Sequence, residues 1–201
     1  MSALEIDHSL SKPELEAAFA PLKQQVWQIV NYTYTNRDRR ARLVKPLVTY
    51  DTTGLALSFV PAAGEGLGCP RRRPEDDQYT YHHLRCDLYQ MTVETGTRIK
   101  SRYIAPSAHV TIARFLTNEG FISPDASKVG QNQLNAEKLK EFINKIGEVN
   151  TWLQNENWPE EGDKQVKKAS EWVIGEEKGL DFQKGPIWYG HNHSVAVGYG
   201  F

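Results

Sequence analysis

The sequence predicts an α+β fold of two pseudo-symmetric lobes, each an antiparallel sheet with one long helix, and a groove between the lobes. Three observations lead there. Leu15, Phe19, Leu22, Val26, Ile29 and Val30 recur at three- and four-residue steps and form one apolar stripe, as an amphipathic helix requires. Leu55, Leu57 and Phe59 alternate with small or polar residues, as in a strand with one buried face. The order strand, helix, strands then occurs a second time within the 201 residues.

Taken in order, residues 2–6 read as a short strand and Asp7-His8-Ser9 as a connection. Ser11-Lys12-Pro13-Glu14 reads as a helix start: a serine cap, a proline in the first turn, and a glutamate three residues after the serine. The stripe then predicts one helix over 13–31. Residues 64–77 hold glycines, prolines and the run Arg71-Arg72-Arg73, and read as a loop. Residues 81–87 look strand-like, and 88–95 read as a short helix stopped by Gly96. Two strands follow, over 99–104 and 108–115, parted by Pro106. Leu139, Phe142, Ile143, Ile146, Val149 and Leu153 predict a second long helix over 132–154. Strands over 171–174, 185–189 and 194–197 close a single two-lobed domain.

Hydrophobic residues make up 39% and charged residues 24%, the balance of a globular chain with a real core. Lys and Arg total 24 against 25 Asp and Glu, which removes the basic field of a general DNA binder but leaves room for one local phosphate site. No apolar run approaches the roughly 20 residues of a membrane helix, so no membrane partner is expected. Two cysteines, Cys69 and Cys86, lack metal-ligand spacing, and the N-terminus shows no secretion signal. The expected setting is intracellular, cytoplasmic with the nucleus as the alternative.

The segment richest in chemistry is Pro106-Ser107-Ala108-His109-Val110-Thr111-Ile112-Ala113-Arg114-Phe115. Alternate side chains of a strand share a face, so His109 and Thr111 point together while Val110 and Ile112 point to the core. An imidazole can move a proton near neutral pH, and a neighbouring hydroxyl can donate to a developing oxyanion. The same alternation places Arg114 on the opposite face, so Arg85 ranks above it as a phosphate fork. A half-exposed strand histidine with no chemical task is the plainer alternative.

That segment resembles the second motif, His-x-Ser/Thr-x, of the two-histidine phosphoesterase superfamily, which includes 2′-5′ RNA ligase-like proteins and cyclic nucleotide phosphodiesterases. Together with Tyr81-His82-His83-Leu84-Arg85-Cys86-Asp87-Leu88-Tyr89 and Ser101-Arg102-Tyr103, it looks like the fungal RNA ligase/cyclic nucleotide phosphodiesterase branch. The resemblance implies metal-independent, cofactor-free chemistry on a cyclic phosphodiester, with a cyclic nucleotide or an RNA 2′,3′-cyclic phosphate end as partner and no stable protein partner. It gives His109 the role of general acid or base and Thr111 that of phosphate-binding hydroxyl. It puts Ser2 in the hydroxyl place of the first motif, whose histidine then falls one residue before Met1. Two expectations stand side by side: an upstream extension carrying that histidine, or a lobe that has lost it and serves as a non-catalytic nucleotide or RNA-end binding module. Arg85, His83, Arg102 and Tyr189 are the expected substrate-binding residues, Tyr189 as a stacking platform for a base. His8 and His82 are weaker candidates. His191 and His193 share a strand face, but no carboxylate or cysteine nearby completes a metal site, so no metal is assigned.

Overall fold

The computed structural model describes residues 1–65, 74–101, 108–117, 119–122, 134–159, 171–185 and 193–201. It is a mixed α+β fold built on a four-stranded antiparallel sheet. Strands β1 (Arg42–Tyr50), β2 (Gly54–Pro61), β3 (Ala108–Arg114) and β4 (Glu171–Val173) lie in the order β3-β2-β1-β4. Strands β5 (Asp181–Lys184) and β6 (His193–Val197) form a separate antiparallel ribbon. The expected strand over 185–189 lies almost wholly outside the described residues, as do Arg71, Arg72 and Arg73.

The predicted cap is present: the Glu14 carboxylate accepts from both the Ser11 backbone N–H (2.8 Å) and the Ser11 hydroxyl (2.6 Å). The single helix expected over 13–31 is not. Pro21 has no N–H to continue the ladder and its ring crowds the preceding turn. The chain therefore breaks into α1 (Lys12–Phe19), a 3₁₀ turn over Ala20–Leu22, α2 (Val26–Val30) and α3 (Tyr32–Thr35). The apolar stripe survives the break, since Leu22, Val26, Ile29 and Val30 are all buried in the main core.

A second correction concerns residues 81–87, which are helical. They open α4 (Tyr81–Glu94) behind Thr80, and Tyr81, Leu84, Leu88 and Thr92 are its buried face. The three- and four-residue spacing of these side chains is that of a helix, not of a strand. Residues 2–6 form no strand either. That segment is tied down by side chains of α4: the Tyr81 hydroxyl donates to the Ser2 carbonyl (2.9 Å) and Arg85 Nε to the Ala3 carbonyl (3.0 Å). The Lys100 and Ser101 N–H groups both donate to the Ile6 carbonyl, at 2.9 and 3.2 Å. Residues 99–101 are not a strand, and the rest of the strand expected over 99–104 lies outside the described residues.

The second long helix, α5 (Ala136–Asn157), matches its prediction closely. It runs beside β1 past the point where β4 ends. There the Asn150 amide accepts from Val48 N–H (2.8 Å) and donates to Val48 C=O (3.0 Å), doing for that edge what a neighbouring strand would do. β4 is pinned at its own end by Arg42, fully buried, whose guanidinium pairs with Asp77 (2.5 Å) and Glu171 (3.1 Å). The β5–β6 ribbon packs on α2, with Leu180 N–H donating to the Val30 carbonyl (2.9 Å). A Cβ at Gly198 would overlap that same carbonyl oxygen, so only glycine fits there. Among the described residues, no helix is long and apolar enough to cross a membrane.

Candidate functional site

The register of the sheet decides which side chains meet. Antiparallel partners point to the same face, so the β2–β3 pairs Ser58↔His109 and Ala56↔Thr111 put His109 and Thr111 on one surface with Ser58 and Ala56. The pairing then slips: Leu55 faces Ala113, so Ile112 is an extra residue on β3. A bulge of this kind reverses the alternation beyond it. Arg114, paired with Gly54, therefore returns to the His109–Thr111 face, correcting the expectation that it points away. On the far side of β2, Thr49 pairs with Ala56, and its hydroxyl lies 2.7 Å from the Ser58 hydroxyl.

Over this face opens a cavity of about 490 Å³ whose walls include Ser2, Glu5, Thr49, Asp51, Ser58, His109, Thr111 and Arg114. The catalytic trio expected from the sequence, Ser2, His109 and Thr111, is thus brought together. Ser2 arrives on the N-terminal segment and the other two on β3, so two distant stretches of chain supply the trio. The structure adds Arg114, which the sequence reading ranked below Arg85, and Glu5, Asp51, Thr49 and Ser58, which it missed. Arg114 was hidden by the bulge. Thr49 and Ser58 carried no motif and become visible only through the pairing of β1 with β2.

The two carboxylates differ. Asp51 sits in the β1–β2 turn, where its Oδ1 accepts from the Thr53 hydroxyl (2.6 Å), the Thr53 N–H (2.6 Å) and the Gly54 N–H (3.1 Å). These bonds, led by the Thr53 hydroxyl and helped by the positive charge of Arg114, hold its pKa below the usual aspartate value. Glu5 is half-buried and accepts from the Ser101 hydroxyl at 2.6 Å.

Of the remaining expected residues, those that the structure describes stand elsewhere. His83 lies in the first turn of α4, where Nδ1 accepts from Thr80 N–H (3.1 Å) and the ring stacks on Tyr79 (5.7 Å between centroids). Arg85 is spent on the Ala3 carbonyl and the Tyr81 ring. Neither lines the cavity, so their contribution is to hold α4 and the N-terminal segment in place. His8 lies in the connection before α1 and His82 is exposed on α4. Arg102, Tyr189 and His191 lie outside the described residues. His193 begins β6, and among the described residues no three His, Cys, Asp or Glu side chains converge as a metal site would need.

Chemically, the described lining offers groups able to give or take a proton (His109, with the carboxylates Glu5 and Asp51), the cationic Arg114 guanidinium and Met1 amino group, and several hydroxyl donors. That combination suits a small anion such as a phosphate ester. Comparison with protein-family models, with curated proteins and with solved structures finds no match to this chain.

Proposed function

We propose that the chain is a cyclic phosphodiesterase acting without a metal on RNA 2′,3′-cyclic phosphate ends or on small cyclic nucleotides. The observation that supports this best is the meeting of Ser2, His109 and Thr111 at one cavity, drawn from two distant segments as the resemblance requires. In this reading the cavity is the groove of a two-lobed arrangement. Thr111 and Ser2 donate to the phosphate oxygens, and Arg114 offsets the charge that builds on them. His109 transfers the proton at one of the two P–O bonds.

The second reading is a non-catalytic module that binds a nucleotide or an RNA end. It is favoured by a specific observation: among the described residues, His109 is the one histidine lining the cavity. A titration series with a nucleoside 2′,3′-cyclic monophosphate separates the two, with EDTA in a parallel sample. The enzyme reading expects steady release of the linear monophosphate, unchanged by chelator. Saturable binding with no product would support the module, and neither binding nor product would end both readings.

A further inference from the structure

If the cavity hydrolyses a cyclic phosphodiester, its chemistry needs two proton carriers, one on each side of the phosphorus: a base for the water and an acid for the departing ribose oxygen. His109 supplies one from the β3 wall. The N-terminal segment lines the same cavity, and the side chain there that can carry a proton is a carboxylate. Resting on the function proposed above, we infer that Glu5 is the proton acceptor of this site, with His109 as the proton donor.

Three features of the structure single out Glu5. It lines the same cavity as His109 and Thr111 but comes from a different stretch of chain. Among the described residues its polar partner is the Ser101 hydroxyl, at 2.6 Å, which fixes one carboxylate oxygen and leaves the other for a water molecule. The cavity's other carboxylate is unsuited to the task. Asp51 already accepts three hydrogen bonds and feels Arg114, so its basicity is low. The other charged groups near Glu5 are the Met1 amino group, whose pKa burial lowers, and the Asp7–Lys100 pair (3.1 Å) on its own side, with Asp51, Arg114 and His109 on the sheet.

The step balances as follows. A water molecule gives one proton to Glu5 as its oxygen forms a new bond to phosphorus. The bond from phosphorus to one ribose oxygen breaks, and the electron pair leaves with that oxygen. The imidazolium of His109 gives its proton to it, producing a hydroxyl and a phosphate monoester. Glu5 then holds one proton more and His109 one fewer, and exchange with solvent resets both. No oxidant, reductant or third reactant is needed.

Glu5→Gln keeps the size of the side chain and its bond to Ser101, and the test rests on it. With a nucleoside 2′,3′-cyclic monophosphate as probe, Glu5→Gln should lower kcat by about 10²–10⁴-fold, the usual worth of a general base. It should also lose the acid-side limb of the pH–rate profile, while Glu5→Asp retains that limb. Glu5→Ala should regain part of its rate when formate is added, which a merely structural glutamate would not do. A Glu5→Gln rate within about threefold of the unaltered protein, beside an inactive His109→Ala, would overturn the assignment of Glu5 and leave the functional reading standing. No turnover by the unaltered protein would take down both.

Discussion

Deleting Ile112 tests whether the bulge in β3, rather than simple alternation, puts Arg114 into the cavity. In the present register Thr111 faces Ala56 and Ala113 faces Leu55, so removing residue 112 makes both strands continuous at that point. His109, Thr111 and Arg114 would then fall at alternate positions of a plain ladder and still share a face. The structural cost is small, because the Ile112 side chain is 55% exposed. It forfeits less than half of the roughly 1.5–3 kcal/mol that full burial of an isoleucine contributes, or about 1 kcal/mol. Removing the guanidinium itself, by Arg114→Met, forfeits charged hydrogen bonds worth about 1.5–3 kcal/mol. At 1.4 kcal/mol per decade that corresponds to roughly 10- to 150-fold in apparent affinity or rate. The assay is hydrolysis of a nucleoside 2′,3′-cyclic monophosphate by four proteins: unaltered, deleted at 112, Arg114→Met, and the combination. The deletion should stay within about tenfold of the unaltered rate, and Arg114→Met should cost as much with the deletion as without it. A deletion as damaging as Arg114→Met, with circular dichroism unchanged, would refute the argument from register.

Two further outcomes follow from the charged network that supports the sheet. Arg42→Met strands Asp77 in the core, where it still accepts from Gly64 N–H (2.9 Å), and breaking a buried pair costs about 3–5 kcal/mol. For a chain of this size that is roughly 6–20 °C in Tm by calorimetry, and a loss under about 2 °C would contradict it. Asp87 is raised by burial, but hydrogen bonds from Tyr32 and Tyr79 and the charge of Arg39 outweigh this and leave its pKa below the usual value. A depressed carboxylate stabilises the fold above the unfolded value of about 3.9, and that contribution is lost as pH falls through the folded one. Asp87→Asn should therefore lower stability at pH 7 and flatten the fall of Tm toward pH 2. Parallel curves for the two proteins would show that Asp87 has no part in acid unfolding.

Much of the site was legible because its signals are local. The strand holding His109 and Thr111 announces itself by alternation and by the prolines and glycines around it, and the Ser11–Glu14 cap follows from two residue types at one spacing. The 22-residue helix α5 has a period long enough to be unmistakable. Non-local effects were not legible. The bulge at Ile112 exists because β2 pairs on both sides of it, and nothing in Thr111-Ile112-Ala113-Arg114 alone encodes the slip. Pro21 was a local signal that the strength of the apolar stripe obscured. Residues 81–87 misled because so short a run shows neither period clearly. Which spacing wins depends on a core contact, the burial of Tyr81, Leu84 and Leu88 together, that forms only in the folded chain. The same misreading put His83 and Arg85 among the ligands, whereas as helix residues His83 caps the first turn of α4 and Arg85 braces the segment that carries Ser2.

The measurement closest to the centre of the account is the turnover of a nucleoside 2′,3′-cyclic monophosphate by the unaltered protein and by His109→Ala, each shown folded by circular dichroism. His109 is half-buried at the cavity wall and, among the described residues, lies outside the buried hydrophobic core, so the fold should persist. Removal of one proton carrier should slow hydrolysis by about 10²–10⁴-fold while substrate binding remains. Equal rates for the two proteins would contradict the assignment of chemistry to this face of the sheet.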